Sequence, residues 1–162
     1  MDRSIRIWFI AATLLVIICS VRSTMAAEPP ADLCSLLPAA EVSKALGRTY
    51  DSPQKSVAPR PYANTAQGTD CNYLAKGSKL WFRAYVDPSP SAAAELFAKL
   101  SKFFGQPTPV TGVGDEAYFD GQHALHVRKG KVRFYLNLDP VDSVSATEKQ
   151  LKDLASRVNA QL

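Results

Sequence analysis

The side chains that could do chemistry in this 162-residue chain are few, and their spacing excludes more than it permits. His123 and His126 are the two imidazoles. Three apart on an expected strand, they point to opposite faces and cannot share a metal ion, and no helical His-Glu-x-x-His arrangement is present. Each reads first as a surface or packed histidine. A serine hydrolase would need a nucleophile elbow, or a base held by a carboxylate, and neither grouping is found. Asp115 and Glu116 are neighbours in sequence and are expected to diverge, meeting water or backbone N–H groups rather than acting as paired acid and base. Gly112, Gly114 and Ala117 match the spacing G-x-G-x-x-A. A phosphate-cradling loop must follow a strand and open a helix. Pro107 and Pro109 are expected to break the segment before it, and Tyr118 to Gly121 lead into a turn after it. The glycines are therefore assigned to a turn. No enzyme, no metal and no cofactor is expected.

A sharper pattern comes from alternation. In "KLWFRAYVD" Leu80, Phe82, Ala84 and Val86 point one way, with Trp81, Arg83 and Tyr85 opposite. In "HALHVRK" Leu125 and Val127 oppose His126 and Arg128, and in "KVRFYLNLD" Val132, Phe134, Leu136 and Leu138 oppose Arg133 and Tyr135. If the apolar sets pack under helices, the other face gathers Trp81, Arg83, Tyr85, His126, Arg128, Arg133 and Tyr135 into a candidate ligand-binding surface. Guanidinium forks bind carboxylate or phosphate, and flat rings stack on sugars or apolar groups. The competing reading is a solvated sheet face of ordinary cross-strand partners, with Trp81 covered by a helix or loop.

Three helices and two hairpins must position these residues. "DLCSLLPAAEVSKALG" has a cap at Asp32, restarts at Pro38 and stops at Gly47. "SPSAAAELFAKLSKFFG" has Ser89 as cap, Pro90 at the first helical position, a stripe of Ala93, Leu96, Phe97, Leu100 and Phe104, and Gly105 as stop. "SATEKQLKDLASRVNAQL" offers Ser145 and Glu148 as a capping box ahead of Leu151, Leu154, Ala155 and Val158. Gly77-Ser78 and Gly130 mark the hairpin turns, and residues 117–119 look extended. Residues 48–68 carry three prolines and no periodicity, and read as a long loop.

The N-terminus sets the compartment. Arg3 and Arg6 precede an uncharged apolar run from Ile7 to Val21, then small residues, the order of a secretory signal. The run is shorter than the roughly 20 residues of a spanning helix. Residues 1–26 are taken as a signal peptide and 27–162 as one domain, periplasmic or secreted, with no stable membrane span after cleavage; an uncleaved anchor is the alternative. Removing three arginines and one aspartate with the signal lowers the net charge from +4 to +2. No extended run of one sign remains, which argues against a nucleic-acid partner. Cys34 and Cys71 survive processing, and in an oxidising compartment they are expected to form a disulfide. A reactive thiol or a two-cysteine metal site lacks a suitable base or further ligands.

The order "CSLLPAAEVSKALG", then "CNY", then "GVGDEAY", then a last amphipathic helix resembles a family of secreted bacterial envelope proteins and lipoproteins classed as a domain of unknown function, many of them mycobacterial. The resemblance covers nearly all of the mature chain through short motifs. It implies an α+β domain with a cysteine bridge, similar to extracellular sensor domains of envelope kinases, and brings no activity. The chain departs from the family at Cys19, which Ile17 and Ile18 precede instead of a lipidation signal, and at Asn72-Tyr73, where threonine and tryptophan are common.

The expectation is an α+β protein: an antiparallel sheet of four to five strands, about three helices and one disulfide. Its expected role is a non-catalytic cell-envelope binding or sensing module recognising an anionic small molecule, glycan or partner protein. The alternative is a small secreted inhibitor or interaction domain acting through loop 48–68.

Overall fold

In the computed structural model residues 28–104 and 107–162 are described. The expected signal peptide, Cys19 and the Gly105 stop lie outside them. The strands are β1 (Gln54–Ala58), β2 (Gly68–Ala75), β3 (Ser78–Val86), β4 (Thr108–Val110), β5 (Glu116–Phe119), β6 (Leu125–Lys129) and β7 (Val132–Asp139). They form one antiparallel sheet in the order β1-β2-β3-β7-β6-β5-β4. Two meanders, β1-β2-β3 and β4 to β7, join at their last strands.

The α+β class holds, but the sheet has seven strands where four to five are expected. The two additions are its edges. β1 lies inside the expected loop 48–68, is flanked by Pro53 and Pro59, and exposes four of its five residues. β4 contains Pro109, which costs nothing at an edge because no outer strand asks for its missing N–H. Edge strands lack a buried face and so carry no alternation to read. A strand therefore does precede Gly112 and Gly114, whose φ angles are +77° and +64°. These glycines lead into β5 and not into a helix, so the loop still fails the requirement for a phosphate cradle.

Three α-helices are described: α1 (Ala39–Leu46), α2 (Pro90–Phe103) and α3 (Val144–Asn159), with a 3-10 turn at Leu33–Leu36. α1 ends at Gly47 in the left-handed region, and the Ser89 hydroxyl caps α2 by accepting the Ala92 N–H at 3.1 Å. α3 begins earlier than expected, because the Thr147 N–H already bonds the Ser143 carbonyl at 2.8 Å; Ser145 is inside the helix. The hairpin turns are Lys76-Gly77 and Gly130-Lys131, since Ala75 pairs with Ser78 and Lys129 with Val132.

The core lies on one face. Leu80, Phe82, Leu125, Val127 and Leu136 from the sheet meet Val42 of α1 and Leu151, Leu154 and Val158 of α3, all fully buried. Cys34 and Cys71 are disulfide-bonded with Cα atoms 5.7 Å apart, tying the 3-10 turn to β2. Closing that loop restricts the unfolded chain by about 4 kcal/mol in the loop-entropy account. The buried Tyr73 hydroxyl donates to the Leu37 carbonyl and fastens the same segment.

α2 departs from the expected arrangement of helices under the apolar face: it lies across the opposite face. Phe97 packs on Tyr118 with ring centroids 5.0 Å apart, and Phe104 on His126 at 4.9 Å. The polar face is therefore half roofed, and the roof builds a site.

Candidate ligand-binding site

The register of the sheet aligns the site's side chains into rows. One row runs Asp70, Arg83, Tyr135, His126, Tyr118 across β2, β3, β7, β6 and β5. The next runs Gly68, Tyr85, Arg133, Arg128, Glu116. Strands are about 4.8 Å apart, so rings standing side by side in a row stack on one another. The His126 ring lies 4.7 Å from Tyr118 at 10° and 5.5 Å from Tyr135 at 20°. The Arg83 guanidinium completes the stack, 5.3 Å from the Tyr135 ring centre.

Every guanidinium of the expected surface is already engaged. Arg83 donates from Nε and Nη2 to the two carboxylate oxygens of Asp70, the second bond at 2.8 Å. That hydrogen bonding secures the guanidinium's charge against partial burial. Arg133, only 4% exposed, donates in the same two-pronged way to Asp87, with Nη2 to Oδ1 at 3.1 Å, and lies 4.9 Å from the Tyr85 ring centre. Arg128 holds Glu116 at 2.7 Å and Asp115 at 3.0 Å. Asp115 and Glu116 thus converge on one arginine instead of diverging, and Asp115 also accepts the Gly130 N–H at 2.7 Å.

His126 Nε2 is 2.9 Å from Asp120, so the base held by a carboxylate that the sequence did not reveal is present, the two residues being six apart across the β5–β6 turn; the other Asp120 oxygen accepts the backbone N–H groups of Gln122 and Ala124. Burial opposes ionisation of Asp120, but the His126 contact and the two N–H bonds outweigh it and hold the carboxyl below its usual range. His123 is not on the strand as expected: it sits in the preceding turn at φ +62°, with Nδ1 3.5 Å from Glu148. Among the described residues no three His, Cys, Asp or Glu side chains gather as metal ligands.

Between α2, residues 59–62 and the sheet lies a cavity of about 300 Å³, room for about ten water-sized groups. Its floor is made of Arg83, Tyr85, Tyr118, His126, Arg133 and Tyr135. Phe97, Leu100 and Phe103 of α2, with Phe104 at its C-cap, form one wall, and Pro59 to Tyr62 the other. The Tyr85 hydroxyl donates to the Pro59 carbonyl at 2.9 Å and pins that second wall. Room for the Tyr85 ring depends on Gly68, where a Cβ would stand 2.5 Å from Tyr85 Cε1. Burial raises the phenol pKa of Tyr85, Tyr118 and Tyr135, against the pull of nearby arginines, so all three stay protonated and act as donors or apolar rings. The buried Tyr118 hydroxyl has no hydrogen-bond partner among the described residues.

Five of the seven expected site residues therefore line one cavity: Arg83, Tyr85, His126, Arg133 and Tyr135. Trp81 and Arg128 do not. Trp81 lies in a different row between Asn72 and Asn137, under the Lys79 ammonium at 4.0 Å, and Arg128 turns toward its carboxylates. Missing from the sequence reading are Tyr118, the α2 wall and Pro59 to Tyr62. Ala117, Tyr118 and Phe119 are three consecutive apolar or aromatic residues and all are buried, so the segment carries no alternation that would have assigned Tyr118 to this face.

No protein-family model and no curated protein matches the chain. Among solved structures it is similar to the extracellular domain of PknH from Mycobacterium tuberculosis, with 13% identity and a TM-score of 0.52, over 83% of this chain and 100% of that one. At that identity the likeness is one of fold. The expected likeness to an extracellular domain is thus found, as a shared architecture. Among the described residues no helix is long and apolar enough to cross a membrane.

Proposed function

We propose that the protein is a non-catalytic binding or sensing module of the cell envelope, periplasmic or secreted, which takes a small molecule into the cavity between α2, residues 59–62 and the sheet. The convergence of five chemically distinctive face residues with the aromatic stripe of α2 carries this reading. Ligand sites are concave, mostly apolar and furnished with a few fixed polar groups, and this cavity has each property. Its polar groups are immobilised in advance by Asp70, Asp87 and Asp120, as binding without large reorganisation requires. The cavity does hold a base backed by a carboxylate, His126 with Asp120, but among the described residues no Ser, Cys or Thr lines it as a nucleophile for that base, and the tyrosines are held protonated. The disulfide and the fold shared with an extracellular domain support a location outside the cytoplasm.

Of the ligand classes expected from sequence, a small molecule fits best, because the site is a hollow and not a flat face. Loop 48–68, the basis of the alternative inhibitor reading, contributes Pro59 to Tyr62 as a wall of the same cavity, so the two readings meet at one site. Filling the hollow tests the proposal. The oxidised protein, incubated with an envelope extract and examined by native mass spectrometry, is expected to retain a small-molecule adduct that Leu100→Trp loses while keeping its fold and disulfide. Equal retention by the variant would refute the proposal.

A further inference from the structure

We infer, resting on the reading of the cavity as a binding site, that its ligand is an anionic amphiphile, with an apolar chain against α2 and its charged head at the rim beside Arg60. Three observations lead there. First, the floor offers no free charge, since Arg83 and Arg133 each hold a carboxylate with two hydrogen bonds. A small, strongly hydrated anion entering it would lose water and find guanidinium groups already neutralised. Second, His126 is stacked between Tyr118 and Tyr135, Arg83 lies over the Tyr135 ring and Phe97 tilts onto Tyr118. With those faces engaged, these three rings are a poor flat platform for a sugar ring. Phe97 is buried against Tyr118, and Leu100, Phe103 and Phe104 are the part of the apolar wall that remains open.

Third, apolar surface continues out of the cavity. Phe104 is 39% exposed and its edge-to-face neighbour Phe103 is 78% exposed, at the end of α2. A run of aromatic surface from floor to solvent is costly unless something apolar covers it, and a chain extending through the mouth covers it. The charge at the rim fixes the head group. Among the described residues Arg60 makes no ion pair, its guanidinium donating one long hydrogen bond to the Ala63 carbonyl at 3.4 Å, and it lines the cavity opposite the α2 wall. A carboxylate, sulfate or phosphate head on such a chain meets this cation without displacing an existing pair.

The probes are decanoate below its micellar concentration, decanol, acetate and inorganic phosphate, titrated calorimetrically into the full protein. Decanoate is expected to bind saturably and at least about tenfold more tightly than decanol, the scale of one charge-assisted hydrogen bond. Acetate and phosphate are expected not to saturate. Arg60→Ala should bring decanoate down to decanol's affinity. Leu100→Trp should abolish both, and Leu100→Glu, which keeps the volume similar and adds a carboxylate, should weaken decanoate more than decanol. Phosphate or acetate saturating, with decanoate no better, overturns the amphiphile while leaving the cavity a site if Leu100→Trp still blocks them. Probe binding untouched by Leu100→Trp and Leu100→Glu overturns the cavity itself.

Discussion

Asp87 and Arg133 bear more of the account than any other pair of residues. Asp87 follows β3 and precedes the Ser89 cap of α2, while Arg133 stands on β7 beneath it, so their two hydrogen bonds hold the start of the roof helix over the floor. Both side chains are nearly sealed from water, Arg133 at 4% and Asp87 at 3% exposed. A buried pair of this kind adds little net stability over an apolar replacement, but losing one partner strands a charge, at about 3–5 kcal/mol. Asp87→Ala is therefore expected to lose several kcal/mol in urea unfolding, and Asp87→Leu with Arg133→Met to recover most of it. A single substitution that unfolds like the parent would show that the pair does not hold α2. The expected role of Arg133 as a direct ligand contact becomes, in this arrangement, a positioning role. The Asp70 partner of Arg83 was one register step away: the expected Gly77-Ser78 turn sets Asp70 opposite Tyr85, and only the observed Lys76-Gly77 turn sets it opposite Arg83, whereas a turn at Gly130-Lys131 sets His126 opposite Tyr135. Asp87 was out of reach, because its contact crosses 46 residues and depends on β3 pairing with β7.

At the scale of elements, alternation made β3, β6 and β7 legible, because a strand with one buried face carries a period of two, and β2 was legible as the hairpin partner of β3. β1 and β4 were not, since an edge strand with proline in or beside it has no inner set to count. α2 was legible as a helix from Ser89, Pro90 and its stripe, yet its side of the sheet was not: an apolar stripe states that a face is buried, never against what. The wall at residues 59–62 depends on β2 in turn. Gly68 pairs with Tyr85, whose hydroxyl holds Pro59, and a methyl group at 68 would strike the Tyr85 ring. Gly68→Ala is expected to displace that ring, release residues 59–62 and weaken ligand retention several-fold, and because the methyl would also stand 2.7 Å from the Ala84 carbonyl, the melting temperature is expected to drop by several degrees, about 2 kcal/mol. Faster amide exchange at Arg60 and Tyr62 in the variant checks the release; unchanged exchange there would mean the wall is held by something other than Tyr85.

For the molecule as a whole, the sheet divides two kinds of chemistry. One side is a sealed core of α1, α3 and aliphatic strand residues, stapled by Cys34–Cys71; the other is a shallow aromatic chamber beneath a single helix. This division lets the open wall at Leu100, Phe103 and Arg60 change with little cost to the core, whereas Arg133 and Tyr85 on the floor serve both the fold and the chamber. The most direct check is a map of backbone amide chemical shifts as decanoate is added to the protein. Occupancy of the chamber should move Arg60, Tyr62, Tyr118, His126, Tyr135 and residues 96–104, and leave α1 and α3 still. Shifts centred on α1, α3 or the outer edge of β1, or spread evenly over the chain, would contradict it.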